Sequence, residues 1–155
     1  MEYSKLIEAA MAARKFAYVP YSGFAVGAAL LTKSGKVYTG CNIESASYTP
    51  SNCAERTAVF KAVSEGEREF SAIAIAAGPA EEEAPLSRYV SPCGVCRQVL
   101  REFNTGDMQV ILCRDTEDFK VYTLAELLPF SFAEEDIPAI VCGRNTWSAC
   151  PGTNP

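Results

Sequence analysis

The sequence predicts a layered α/β domain, and three observations predict it. Segments with helical spacing of apolar residues alternate along the chain with short extended runs, the pattern of helices packed on a sheet. One of those runs, residues 72–77, is apolar at every position, which suits a strand covered on both faces. The length of 155 residues fits one domain with a core large enough to need no disulfide staples.

The elements follow in order. Residues 2–18 predict an amphipathic helix, with Leu6, Ile7, Ala10, Ala13 and Ala17 near one face. Pro20 and Gly23 bracket a turn. Residues 24–31 then predict a buried strand and residues 37–43 its hairpin partner, joined across Lys33-Ser34-Gly35-Lys36. A polar loop over 45–52 feeds a helix over 53–65, with Gly66 as its stop. The apolar run 72–77 is the third strand. Residues 78–91, with Glu81, Glu82, Glu83 and two prolines, predict an exposed loop. Pro92 opens a helix that ends near Asn104. Strands over 108–113 and 119–122 and a short helix over 124–128 complete the pattern. The domain is expected to span residues 1–138, and residues 139–155, rich in Gly, Asn, Ser and Pro, form a C-terminal extension with no structural signal.

Composition removes whole classes of function. The chain has no histidine, so no imidazole can serve as base, nucleophile partner or metal ligand. The net charge of -5 at pH 7 gives no electrostatic reason to hold a polynucleotide. No apolar run is long enough to span a bilayer and the first residues are polar, so a cytoplasmic location is expected. Seven cysteines in such a chain point to free thiols or metal ligands.

Three of those cysteines carry the chemistry. Cys93 and Cys96 stand three apart, so on one helical turn both sulfurs can face the same way. Cys53 opens the other helix, where the positive end of the dipole favours a thiolate. Three sulfur ligands leave a zinc ion one open position, the mark of a catalytic site. Arg56, one turn after Cys53, can draw off the excess negative charge of three thiolates. Glu55 sits where a carboxylate can carry protons without being a ligand. Cys-Ala-Glu followed by Pro-Cys-x-x-Cys matches the zinc deaminase signature, with cysteine in place of the usual histidine. A structural zinc would need a fourth protein ligand. Cys41 and Cys113 fall in predicted strands and read as small buried residues, and Cys142 and Cys150 lack metal-ligand spacing.

The chain resembles the small homotetrameric zinc-dependent cytidine deaminases from its first helix to about Ile137. The resemblance is carried by Pro20-Tyr21-Ser22-Gly23-Phe24-Ala25-Val26-Gly27, Gly40-Cys41-Asn42-Ile43-Glu44, Asn52-Cys53-Ala54-Glu55-Arg56, Ser91-Pro92-Cys93-Gly94-Val95-Cys96-Arg97-Gln98 and Glu126-Leu127-Leu128-Pro129-Phe130-Ser131-Phe132. It implies a three-layer α/β/α fold around a mixed five-stranded sheet, with Zn2+ on Cys53, Cys93 and Cys96, Arg56 against the sulfurs, and Glu55 catalytic. It also implies that Asn42 and Glu44 bind the ribose hydroxyls, that Phe24 and backbone near Ala54 meet the base, and that Tyr48 and Phe132 reach a neighbouring subunit's site. The implied reaction is hydrolysis of cytidine and 2′-deoxycytidine to the uracil nucleosides and ammonia, as in pyrimidine salvage. The rival readings are a deaminase for a modified cytosine nucleoside such as blasticidin S, a single-strand nucleic acid editor, and a zinc-stapled interaction module without catalysis.

Overall fold

A computed structural model describes residues 3–137 of the chain. The extension expected after residue 138, with Cys142 and Cys150, lies outside the described residues. The elements run α1 Tyr3–Arg14, β1 Phe24–Thr32, β2 Val37–Cys41, α2 Ala54–Ser64, β3 Phe70–Pro79, α3 Gly94–Glu102, β4 Gln109–Cys113, β5 Phe119–Thr123 and α4 Leu124–Leu127, followed by a 3-10 turn at Glu134–Asp136. The five strands form one sheet in the order β2-β1-β3-β4-β5. β3 and β4 pair in parallel, and the other neighbours pair antiparallel, so the sheet is mixed. The connection from β2 to β3 passes β1 and carries α2, and the connection from β3 to its parallel neighbour β4 carries α3.

The alternation of side chains along β3 sorts the core into two halves. Ala72, Ala74 and Ala76 face α1, where they pack with Leu6, Ile7 and Ala10. Ile73 and Ile75 face the other way, against Ala58, Val59 and Ala62 of α2 and Leu100 of α3. The result is the expected three layers, α1 on one face and α2 with α3 on the other. Gly66 ends α2 at φ +91, as its place after the helix predicts.

Four expectations shift. α1 stops at Arg14 rather than at residue 18, because Tyr18 leaves the helix to bridge Ile43, its N–H donating to the Asn42 carbonyl at 3.0 Å. β3 is longer than predicted, since β1 pairs with it from Phe24↔Pro79 to Thr32↔Phe70. Pro92 does not open α3: Cys93, in an extended conformation, is the N-cap, and Pro92 precedes it. The acidic loop is not simply exposed. Leu86 in its middle is 1% exposed and packs in the α1-side core.

Candidate active site

The two helix starts on the same side of the sheet bring the cysteines together. Cys53 and Cys93 are the N-caps of α2 and α3, and neither thiol caps its own helix, which leaves both free to turn toward each other. Their sulfurs lie 3.8 Å apart. With the Cys96 sulfur they form a cluster whose three atoms lie within 4.8 Å of one another. All three are free thiols. Two sulfurs on one tetrahedral zinc with bonds of about 2.3 Å stand ~3.8 Å apart, so the Cys53–Cys93 spacing fits that ion. The donor set also fits, because thiolates are soft ligands. No fourth Cys, His, Asp or Glu joins the cluster among the described residues.

One sulfur of the cluster, Cys53, is already polarised toward thiolate. Cys53 is pulled down to about 5, chiefly by a hydrogen bond from the Cys96 thiol, with Arg56 and Cys93 adding to it against the cost of burial. Cys96 moves up, because its proton is held in that same bond and its sulfur is buried. Arg56 Nη2 donates to Cys53 Sγ at 3.4 Å, as its one-turn spacing predicts. Its Nε is buried without a hydrogen-bond partner.

Glu55 follows one residue after Ala54 in the first turn of α2 and is 4% exposed. Burial, with the Cys53 thiolate adding to it, raises its carboxyl to about 7. A carboxyl that titrates near neutrality can both take and give a proton at the pH where the chain works.

Cys53, Glu55 and Cys93 line the floor of a cavity of about 310 Å³. Its walls are Phe24 and Val26 of β1, Asn42, Ile43 and Glu44 after β2, Ser51 and Asn52 before α2, and Val90 and Ser91 before α3. Asn42 continues the sheet where β2 has ended. Its Oδ1 accepts from the Val26 N–H at 2.8 Å, and its Nδ2 donates to the Phe24 carbonyl at 2.9 Å. Glu44 accepts from the Tyr21 and Ser22 N–H groups at 2.9 and 3.2 Å and from the Ser22 hydroxyl. That hydroxyl, more than the backbone bonds, keeps the carboxyl below its ordinary range.

The cavity therefore gathers Phe24, Asn42, Glu44, Cys53, Glu55 and Cys93 from the predicted set. Ala54 is fully buried between two of them, and its side chain belongs to the core. Tyr48 and Phe132 do not line the cavity of this single chain. Tyr48 is 74% exposed with a φ of 60 and meets Tyr21 edge-on, and Phe132 is 58% exposed. Sequence reasoning missed Val26, Ile75, Ser51 and Val90 as wall residues, and Ser22 as the group that orients Glu44. Each looks like ordinary core or loop, and only the packing of β1, β3 and the loops before α2 and α3 around one cavity exposes the role.

Comparisons with known proteins agree with this geometry. A family model described as "Cytidine and deoxycytidylate deaminase zinc-binding region" matches residues 1–112. A cytidine deaminase of Sporosarcina psychrophila is 52% identical over 137 residues, covering 88% of this chain and 96% of that protein. A cytidine deaminase of Halalkalibacterium halodurans is 50% identical over the same length, covering 88% of this chain and 98% of the relative. The crystal structure of cytidine deaminase from Burkholderia pseudomallei superposes with a TM-score of 0.75 at 47% identity, covering 85% of this chain and 100% of that one.

Proposed function

The chain belongs to the cytidine and deoxycytidylate deaminase zinc-binding family, and from that premise we propose that it hydrolyses the 4-amino group of cytidine and 2′-deoxycytidine, giving the uracil nucleoside and ammonia. The single observation that carries this reading is Glu55, buried beside three converging sulfurs at the floor of a cavity of about 310 Å³. That volume lies at the lower end of the ~300–1,000 Å³ usual for small-molecule sites.

Cys53, Cys93 and Cys96 hold the zinc. When bound, zinc supplies a Lewis acid that brings water within reach of deprotonation near neutral pH. Arg56 offsets the charge of the thiolates through its bond to Cys53. The Glu55 carboxylate takes a proton from the attacking water and delivers it to N3 of the base, which makes C4 more electrophilic. As the water oxygen bonds C4, its remaining proton passes by way of Glu55 from the new C4 hydroxyl to the amino nitrogen, the C4–N bond breaks, and ammonia leaves the uracil carbonyl. Asn42 and Glu44, locked to backbone, are pre-organised acceptors and donors for the ribose hydroxyls, with unused capacity on both side chains. Phe24 lies against the base. Burial of the proton carrier keeps bulk water from competing for these transfers.

Assembly completes the reading. Tyr48 and Phe132 are exposed on the single chain; in the homotetramer of this reading they would reach a neighbouring copy's cavity, so that each site draws on more than one chain. A cytoplasmic setting keeps the sulfur ligands reduced; no described helix is long and apolar enough to cross a membrane.

The test is Glu55→Gln. The variant keeps its zinc and loses at least about 10³-fold in turnover of cytidine, followed by the ultraviolet change and by ammonia release. Near-wild-type turnover refutes the assigned role. Ammonia released from blasticidin S in preference to cytidine refutes the substrate.

A further inference from the structure

Arg14 is the last residue of α1, and all three of its guanidinium nitrogens are used. Nε donates to the Ala25 carbonyl at 3.2 Å, Nη1 donates to the Glu82 carbonyl at 2.8 Å, and Nη2 donates to the Pro79 carbonyl. None of these acceptors lines the cavity, but they adjoin two of its walls. Ala25 stands between Phe24 and Val26, which both line it. Pro79 and Glu82 begin the strap, residues 79–93, that ends in the wall residues Val90, Ser91 and Cys93. The β1–β3 ladder already pairs Phe24 with Pro79, and Arg14 extends that joint to the Glu82 carbonyl, three residues further along the strap.

The strap is stiff enough to transmit what happens at its root. Glu82 Oε1 accepts from the Ser87 N–H at 3.0 Å. Its Oε2 lies over Gly78, where an added Cβ would fall 2.3 Å from it. Buried Leu86 exchanges two bonds with Arg114, its N–H on the Arg114 carbonyl at 2.9 Å and its carbonyl accepting from Arg114 Nε at 2.5 Å. The Tyr89 hydroxyl bonds Asp118. Glu55, Cys53, Cys93 and Cys96, by contrast, sit at the starts of α2 and α3 and make no hydrogen bond to Arg14 or Glu82.

We propose that Arg14 is a positioning residue for the reaction: by gathering the Ala25, Pro79 and Glu82 carbonyls it sets the separation of the Phe24–Val26 wall from the Val90–Ser91 wall, and so the fit of the nucleoside. The proposal rests on this cavity being the nucleoside site. A guanidinium fork reaches three carbonyls at once, whereas a lysine ammonium on its flexible stem is a point charge that cannot reproduce the fork. A slackened wall weakens ground state and transition state alike, which raises KM and spares kcat.

The experiment compares zinc-loaded, full-length wild type with Arg14→Met, Arg14→Lys and Gly78→Ala, the last disturbing the strap root by pushing on Glu82 without altering α1. Cytidine kinetics are read beside limited trypsin cleavage, with the cut at exposed Arg88 in the strap scored against the cut at exposed Lys33 in the β1–β2 turn. All three variants are expected to raise KM about tenfold with kcat within about twofold. They are also expected to cut about tenfold faster at Arg88, with Lys33 unchanged. KM within twofold of wild type overturns the proposal. So does a parallel rise of the Arg88 and Lys33 cuts, which marks Arg14 as a residue of general stability. If the Arg14 variants fail to fold, Gly78→Ala decides by the same two readouts. A wild type that does not turn over cytidine refutes the functional reading instead, and the cleavage ratio then still decides whether Arg14 holds the strap.

Discussion

Gly40→Ala adds one methyl group at the place where β2 touches the start of α2. The new Cβ would lie 2.4 Å from the Ala54 carbonyl oxygen, 2.5 Å from the Ala58 nitrogen and 2.9 Å from Thr57 Cβ. Two of those obstacles are helix backbone, which cannot rotate aside as the end of a long side chain can. Restoring ordinary contact, about 3.4 Å, requires the start of α2 to retreat by roughly 1 Å. The retreat carries Cys53 and Glu55 with it. Overpacking of this kind costs about 1–3 kcal/mol of stability. A 1 Å error in a reacting group costs about 10²-fold in rate. The variant is therefore expected to unfold at lower urea and to lose about 100-fold in kcat/KM for cytidine, with weakened zinc retention. Gly27→Ala is the matched control for zinc retention and kcat, its push on Arg14 bearing on KM alone. Its Cβ would lie 2.0 Å from the Ala10 oxygen and 2.4 Å from the Arg14 nitrogen, on the opposite face of the sheet. It should lose comparable stability and keep its zinc. Gly94→Ala, next to a metal ligand in sequence, meets nothing within 4 Å and should leave zinc binding unchanged. A Gly40→Ala protein with kcat/KM within about threefold of wild type and full zinc would refute the argument that close packing at this glycine places the site.

Two further outcomes follow from single side chains. Arg56→Gln removes the Nη2 bond to the Cys53 sulfur; zinc affinity, measured by competition with a chelating dye, should fall about 10- to 100-fold, and an unchanged affinity would dismiss charge compensation. Asn104→Ala strips a buried hub whose Nδ2 donates to the Phe70 carbonyl and whose Oδ1 accepts from Gly106 and Met108 N–H groups at 2.7 and 3.0 Å. It should cost about 2–4 kcal/mol in urea unfolding while the remaining folded enzyme keeps its kcat, and a loss under 1 kcal/mol would show that water replaces the amide.

The elements were legible in the sequence because their signals are short-range. The apolar stretch of β1, the run in β3 and the stop at Gly66 each lie within a few residues, and the structure places a strand, a strand and a helix end there. The limits of α1 and α3 were not legible. Tyr18 is drawn out of the helix by Ile43 and Asn42, partners distant along the chain, and Pro92 is left outside by an extended Cys93 that takes the N-cap. The loop over 78–91 looked exposed because its composition is acidic and rich in proline. Its anchors, Arg14 at 68 residues' separation and Arg114 at 28, carry no local signature.

Residue type and spacing alone determined the donor set: a chain without histidine that offers a cysteine and glutamate at one helix start and two cysteines three apart at another can make a sulfur site for a soft metal with a carboxyl beside it. Tertiary structure decided what that carboxyl does. The sheet order brings two helix starts, forty residues apart in the chain, to a sulfur–sulfur distance of 3.8 Å. The same packing buries Glu55 and lifts it to about 7, where a solvated glutamate at a helix start would remain a simple anion. Desolvation is a property of everything that surrounds a group, and no stretch of sequence around Glu55 contains it.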